Sequence, residues 1–207
     1  MMQYSTLARD NYLKFHQTLK DKDFKFSKIA IGMWDFMKAW EKWPVRILKE
    51  GDDIVSVCFM KVSGQAGTKV LFISNIFTPT EHKKKGYARE MLDRNILEGV
   101  TLDAGTLRMD CNRKALPFYD ALGASYWGTT IEQSMFCDLP IDGSGVEGFW
   151  NYRNVGASDL LSLYPDKLRT AKLKWIAKKV RRHEEFDYGH LSRYEEFVRI
   201  KQRELES

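Results

Sequence analysis

Residues 70–92 read VLFISNIFTPTEHKKKGYAREML and pass from strand to loop to helix. The apolar run Val70–Phe77 is too short for a helix of its own and is rich in strand formers, so it predicts a central strand. A basic loop containing Gly86 follows, and apolar residues then recur at helical spacing until Gly99. Such a loop offers backbone N–H groups at the positive end of a helix dipole, where pyrophosphate could bind. A solvated basic loop is the alternative interpretation.

Hydrophobic periodicity on either side of this stretch predicts the remaining elements of the fold. Two amphipathic helices and a hairpin precede it: Arg9–Lys20, Lys28–Lys42, and the strands Val45–Lys49 and Ile54–Val62. A strand, a short helix and one last strand follow it: Thr106–Cys111, Ala115–Leu122 and Tyr126–Asp138. Strands that alternate with helices after a hairpin predict an α/β (α+β) fold whose sheet is of mixed direction.

The composition changes after residue 139, which predicts the domain organisation. Residues 140–157 contain four glycines and show no clear periodicity, so we interpret them as a linker. Beyond the linker, Asp166–Arg182 and Leu191–Leu205 have the spacing of amphipathic helices. We therefore predict a domain over residues 1–139, a linker over 140–157 and a helical C-terminal extension over 158–207.

The net charge of +5 is concentrated in one segment of the predicted extension. Residues 167–182 carry eight basic side chains and no acidic one, and the rest of the chain is slightly acidic. A basic helix of this kind could bind an acidic protein or a nucleic acid. A solvated helix that packs through its apolar stripe is the plainer interpretation.

Composition also indicates the compartment and the absence of metal chemistry. The chain has no run of 18 apolar residues and no basic-flanked apolar leader, so we expect a cytoplasmic protein that does not span a membrane. Cys58, Cys111 and Cys137 lack C-x-x-C spacing, and the four histidines lack metal-ligand spacing. Reduced thiols and no bound metal are therefore expected.

Residues 112–124, NRKALPFYDALGA, form a second informative segment one strand after the basic loop. Together with Lys83-x-x-Gly86-x-Ala88, this segment resembles the GNAT acetyltransferase family. The cofactor loop of that family reads Arg/Gln-x-x-Gly-x-Gly/Ala, and its later segment carries Asn, Ala, Phe-Tyr and Leu-Gly in order. Lys83 stands where the family has Arg or Gln. The resemblance follows the order of elements over residues 1–138 and is recognisable in sequence over residues 70–130. It implies a mixed, twisted sheet of about 6–7 strands flanked by helices.

The resemblance implies that the chain binds acetyl-CoA along the end of the central strand and the basic loop. The strand end would offer backbone groups to the pantetheine arm, and the loop would wrap the pyrophosphate. The implied cofactor-binding residues are Ile76, Phe77, Thr78, Lys83, Lys84, Lys85, Gly86, Tyr87, Ala88, Arg89 and Asn112.

For catalysis, the resemblance implies that Tyr119 donates a proton to the departing thiolate, a suitable role for a phenol with a pKa of about 10. Many family members place a carboxylate on the central strand to deprotonate the acceptor amine, but Ser74 and Asn75 stand there in this sequence. Asp110 and Glu132 are the nearest candidate bases by topology, although each could equally face solvent. The general base is therefore unassigned.

Two functions remain open at this point. The first is an N-acetyltransferase that moves the acetyl group of acetyl-CoA directly to an acceptor primary amine. Its acceptor site would be walled by aromatic and sulfur-containing side chains of the early helices, although core packing explains them equally well: Trp34, Met37, Trp40 and Trp43. The second is a non-catalytic module of the same fold that engages a protein or nucleic acid through its C-terminal helices.

Overall fold

A computed structural model of the 207-residue chain describes residues 2–66, 69–111, 125–129 and 135–140. Contacts divide the chain into two units, Met1–Lys61 with Phe72–Glu98 and Val62–Leu71 with Gly99–Ser207. The strands are β1 Met2–Leu7, β2 Val45–Glu50, β3 Asp53–Ser63, β4 Lys69–Phe77, β5 Ala104–Cys111, β6 Ser125–Thr129 and β7 Met135–Pro140. The helices are α1 Arg9–Thr18, α2 Asp21–Phe36 and α3 Tyr87–Thr101, and a short 3-10 turn spans Thr80–His82. The predicted α/β fold is confirmed.

The first unit is built on strands in the order β1-β2-β3-β4. β1 pairs antiparallel with β2 from Met2 opposite Glu50 to Leu7 opposite Val45, and β2 pairs antiparallel with β3. The β2–β3 hairpin and the central strand β4 were predicted from their apolar patterns. β1 was not, because each of its six residues is half-buried or exposed and its sequence shows no strong period.

Helices α1 and α2 pack against the strands through an aromatic core. Tyr12, Trp34 and Phe59 are fully buried. The Phe59 ring makes edge-on contacts, with centroids 5.1 Å from the Tyr12 ring and 5.5 Å from the Trp34 ring. Each such side chain stabilises the fold by about 1.5–3 kcal/mol through burial. Trp34, which also donates its indole N–H to the Trp43 carbonyl at 2.8 Å, therefore belongs to the core and not to the wall of a site.

Helix α2 begins seven residues earlier than the periodicity predicted, at Asp21 instead of Lys28, and it ends at Phe36 instead of Lys42. The acidic first turn is favourable at the positive end of the helix dipole. At the other end, Lys38 adopts a left-handed φ of 50°, which interrupts the helix. Three large apolar side chains of α2 face solvent, because Ile29 and Met33 are exposed and Phe36 keeps 89% of its surface.

A second interior cluster of the first unit is polar and lies between β1, β2 and α3. Arg46, only 5% exposed, forms an ion pair with Glu98, and its Nε donates to Glu98 Oε2 at 3.1 Å. The Tyr4 hydroxyl lies 2.6 Å from the same carboxylate and 3.0 Å from Asn95 Oδ1. Burial tends to raise the pKa of Glu98, but hydrogen bonds from Arg46 and Tyr4 outweigh it and hold that pKa below its usual value.

The second unit carries strands in the order β5-β7-β6. β5 pairs antiparallel with β7 from Thr106 opposite Pro140 to Cys111 opposite Met135, and β6 also pairs antiparallel with β7. The prediction of one last strand over Tyr126–Asp138 is therefore wrong, because this segment contains two strands that run in opposite directions. Lys69 joins the unit by donating to the Leu102 carbonyl at 3.0 Å.

The predicted linker over residues 140–157 and the extension over 158–207 lie, apart from Pro140, outside the described residues, as does the basic segment 167–182. In the portions of the chain that the structure describes, no helix combines the length and the apolar character needed to cross a membrane.

Candidate cofactor-binding site

The end of β4 forms one side of the candidate site. Ile76 and Phe77 are half-buried and Thr78 is buried. The Ser56 hydroxyl donates to the Phe77 carbonyl at 3.3 Å, and the Phe77 ring packs edge-on against Phe26 with centroids 5.4 Å apart. These contacts hold the strand end in place, which is the property that a binding edge requires.

In the loop after β4, the sign of the backbone angle φ alternates from residue to residue. Lys84 has a φ of 65° and Gly86 a φ of 84°, whereas Lys85 between them does not have a positive φ. In proteins, residues of alternating right- and left-handed conformation can turn successive N–H groups toward one point, which is the arrangement of many anion sites. A Cβ built on Gly86 would meet no heavy atom of the described residues within 4 Å, so these residues leave the space beside Gly86 open.

Helix α3 begins directly after this loop, so the positive end of the helix dipole lies beside the loop. The N–H groups of Arg89 and Glu90 donate to the Gly86 carbonyl at 3.0 and 3.1 Å, which places Gly86 at the N-cap. N–H groups in the first turn of a helix have no acceptor within the helix and carry its partial positive charge. Lys84 and Lys85 are exposed beside them, so the local field favours an anion.

Tyr87 is oriented toward the protein interior instead of the loop opening. Its side chain is 7% exposed, and its hydroxyl donates to Glu50 Oε2 at 2.5 Å. That hydrogen bond, together with burial, raises the pKa of the Tyr87 phenol. The His82 ring lies edge-on to it at a centroid distance of 6.3 Å. Of the groups of Tyr87, the backbone N–H is therefore the one that could serve an anion.

Lys83 already has partners within the chain. Its Nζ donates to Thr80 Oγ1 at 3.2 Å and lies 3.8 Å from Asp23 Oδ1. The other oxygen of Asp23 accepts the Thr80 backbone N–H at 2.7 Å. The sequence did not point to Asp23, because the contact joins residues nearly sixty positions apart and no motif surrounds it.

The structure describes one of the three predicted catalytic residues and does not describe the predicted cofactor-binding residue Asn112. Asn112, Tyr119 and Glu132 lie outside the described residues, so their roles stay predictions. Glu132 was expected on a last strand, and its position falls in the undescribed segment between β6 and β7. Asp110 lies on β5 opposite Phe136 of β7.

The side chains that stand where a strand carboxylate would be contact each other. The Ser74 hydroxyl donates to Asn75 Oδ1 at 2.9 Å, and both residues are half-buried on β4. The amide and hydroxyl side chains are neutral at physiological pH and do not accept protons there. They offer hydrogen bonds on this strand but no general base.

Two groups that could have carried metal or redox chemistry have structural roles. His16 is buried, stacks on Phe24 at 4.2 Å and lies 3.1 Å from the Ser27 hydroxyl through Nδ1. Cys58 is a free thiol whose burial raises its pKa, as expected for a reduced core cysteine. Within the described ranges, histidine, cysteine and acidic side chains form no group of three that could hold a metal ion.

Comparison with solved structures shows the fold to which these elements belong. An acetyltransferase from Thermus thermophilus matches with a TM-score of 0.52 and 15% identity, over 68% of this chain and 97% of that chain. A protein from Desulfovibrio desulfuricans that is assigned to the GNAT family matches at 0.53 and 12%, over 68% and 99%. A bacterial toxin matches at 0.52 and 13%, over 68% and 91%. No protein-family model matches the sequence, and neither does any curated protein.

The chain has the fold of the GNAT acetyltransferases. The prediction drawn from residues 83–88 and 112–124 is thus confirmed at the level of the fold. The matched part of this chain, about two thirds of its length, covers nearly the whole of each of these structures.

Proposed function

We propose that the chain is an acyl-CoA-dependent N-acetyltransferase, which moves the acetyl group of acetyl-CoA to an acceptor primary amine. One observation carries the proposal. In a chain with the GNAT fold, the loop at Lys84–Gly86 alternates in the sign of φ and ends at the N-cap of α3. A fold alone does not define an activity, but this loop supplies the chemistry that a cosubstrate with a pyrophosphate needs.

The residues at the loop suit the diphosphate of coenzyme A. The N–H groups that the alternating backbone brings together would donate to the phosphate oxygens, and Lys84 and Lys85 would add long-range attraction. Gly86 has no side chain in the open space before the loop, so backbone and phosphate can approach closely. The half-buried end of β4 would receive the pantetheine arm.

In the proposed reaction, the neutral amine nitrogen attacks the thioester carbonyl carbon, a C–N bond forms and the C–S bond breaks. The electron pair of the broken bond goes to sulfur, and Tyr119 would donate its proton to that thiolate. An N–H group at the β4 end would polarise the carbonyl during attack. The amine loses a proton in the same step, and Asp110 is a candidate to receive it. No metal is part of this proposal.

The proposed partner is the amine acceptor, whose chemical type the sequence leaves open. An acidic protein or nucleic acid at residues 167–182 and a cytoplasmic location belong to the same proposal. The basic composition of that segment supports the former.

Calorimetric titration with acetyl-CoA and with coenzyme A tests the proposal. We expect dissociation constants in the micromolar range for the wild type, and loss of binding in Gly86→Glu. That substitution adds a carboxylate to the anion site and strains a position whose φ is 84°. Gly86→Ala separates the two effects, since it carries the strain without the charge.

Gly32→Glu is the matched control, because Gly32 is exposed on α2 and a Cβ there meets no atom within 4 Å. It should bind like the wild type. A wild-type protein that binds neither nucleotide would contradict the proposal.

The second candidate, a non-catalytic binding module, is favoured by one observation. Ser74 and Asn75 occupy the positions on β4 where many members of the fold have a carboxylate base. Absence of nucleotide binding, together with salt-sensitive retention on heparin that is lost when Lys178, Lys179, Arg181 and Arg182 are neutralised, would support this candidate.

A further inference from the structure

The N-terminal turn of α2 contacts the segment that leads into the loop at Lys84–Gly86. Asp23 is the residue that makes the polar contact, and its side chain is 13% exposed. Its Oδ2 accepts the Thr80 N–H at 2.7 Å, and its Oδ1 lies 3.8 Å from Lys83 Nζ. Lys83 also donates to Thr80 Oγ1 at 3.2 Å, so the three residues form a closed triangle of polar contacts. We call this triangle the Asp23 clamp.

The helix that carries Asp23 is itself fixed on two further sides. One turn along, the Phe26 ring packs on Phe77 at the end of β4. The next residue, Ser27, is fully buried, and its hydroxyl lies 2.8 Å from the Tyr12 hydroxyl. Because these contacts are made by neighbouring residues, the Asp23 carboxylate is held at a fixed distance from the strand end that precedes the loop.

We propose that Asp23 is a positioning residue for the cosubstrate: it fixes the entry to the loop so that the N–H groups of Lys84–Gly86 meet the diphosphate in a preformed arrangement. The inference rests on the proposed function and adds a residue to it. Asp23 itself does not touch the cosubstrate in this scheme. It acts through Thr80 and Lys83, which lead into the loop.

Two physical consequences follow from the clamp. A hydrogen bond from a backbone N–H to a carboxylate is stronger than one to a neutral acceptor, so it restrains the loop entry before any ligand arrives. A restrained loop loses less conformational entropy on binding, which raises affinity. Lys83, in turn, is engaged with Asp23, so Lys84 and Lys85 remain as the lysines that attract phosphate.

The test compares Asp23→Ala, Asp23→Asn and the control Asp21→Asn, which makes the same charge change on an exposed residue of the same helix turn. The first readout is amide hydrogen exchange of residues 78–86 without nucleotide. Asp23→Ala should lose protection of the Thr80 N–H, while Asp23→Asn should retain part of it through the amide oxygen. Asp21→Asn should match the wild type.

The second readout is the dissociation constant for coenzyme A by calorimetry, with thermal unfolding as a check of folding. We expect the dissociation constant to rise about tenfold in Asp23→Ala, to rise less in Asp23→Asn and to stay unchanged in Asp21→Asn. If the wild type binds coenzyme A and Asp23→Ala has the same dissociation constant, this inference is overturned and the proposed function is not. Unchanged hydrogen exchange of the Thr80 N–H in Asp23→Ala would have the same consequence. Absence of binding by the wild type would overturn the proposed function, and with it the role given to Asp23.

Discussion

The two ends of helix α3 use charge in opposite ways. At its beginning, Lys84 and Lys85 are exposed beside first-turn N–H groups, and the space before Gly86 is open. Near its other end, Glu98 is paired with buried Arg46 and bonded to Tyr4. A buried charge needs partners within the protein, because desolvation without them is costly. Exposed charges beside open backbone donors contribute little to stability, and they remain available to a ligand.

The largest effect on stability should come from breaking the buried ion pair between Arg46 and Glu98. Arg46→Met leaves the Glu98 carboxylate without its cation, and we expect the free energy of unfolding to fall by about 3 kcal/mol. Urea denaturation measures this. The control is Arg94→Met, which breaks the exposed pair with Glu90 on the same helix and should cost about 0.5 kcal/mol or less. Equal losses in the two variants would show that burial does not distinguish these pairs.

The pH dependence of stability gives an intermediate effect at the same end. Because the pKa of Glu98 is lowered in the folded state, its contribution to stability is fully present above the ordinary carboxyl pKa of about 4.3 and is lost as pH falls through the lowered pKa. The difference in unfolding free energy between the wild type and Glu98→Gln should therefore stay constant from neutral pH to about 4.3 and shrink below that pH. Denaturation series at several pH values measure it, and a difference that also stays constant below that pH would contradict the assignment.

The smallest effect on stability should come from neutralising the exposed lysines just before α3. The double variant Lys84→Gln/Lys85→Gln should change the unfolding free energy by no more than about 0.5 kcal/mol. Its affinity for coenzyme A should fall, and the salt dependence of that affinity should become shallower, because two of the attracting charges are gone. Lys14→Gln/Lys25→Gln, which removes two exposed charges from α1 and α2, is the control. A marked loss of stability in the first variant would place these lysines among the structural charges.

Local patterns predicted the elements that frame the candidate site. β4 was recognisable from one apolar run, and α3 from helical spacing after a glycine. The split between β6 and β7 was missed because residues 130–134, TIEQS, contain neither glycine nor proline to indicate a turn. β1 was missed because a strand at the edge of the order has few buried positions.

The features of the loop at Lys84–Gly86 that suit an anion can be read from the amino-acid sequence alone: a glycine, lysines beside it and a helix beginning directly after it. These are properties of neighbouring residues, so a short stretch of sequence contains them. The packed fold was needed to show that Trp34 belongs to the core, that Glu98 has Arg46 as its partner and that Lys83 is held by Asp23. The reason is that such contacts join distant residues, and their distances depend on how whole helices and strands pack.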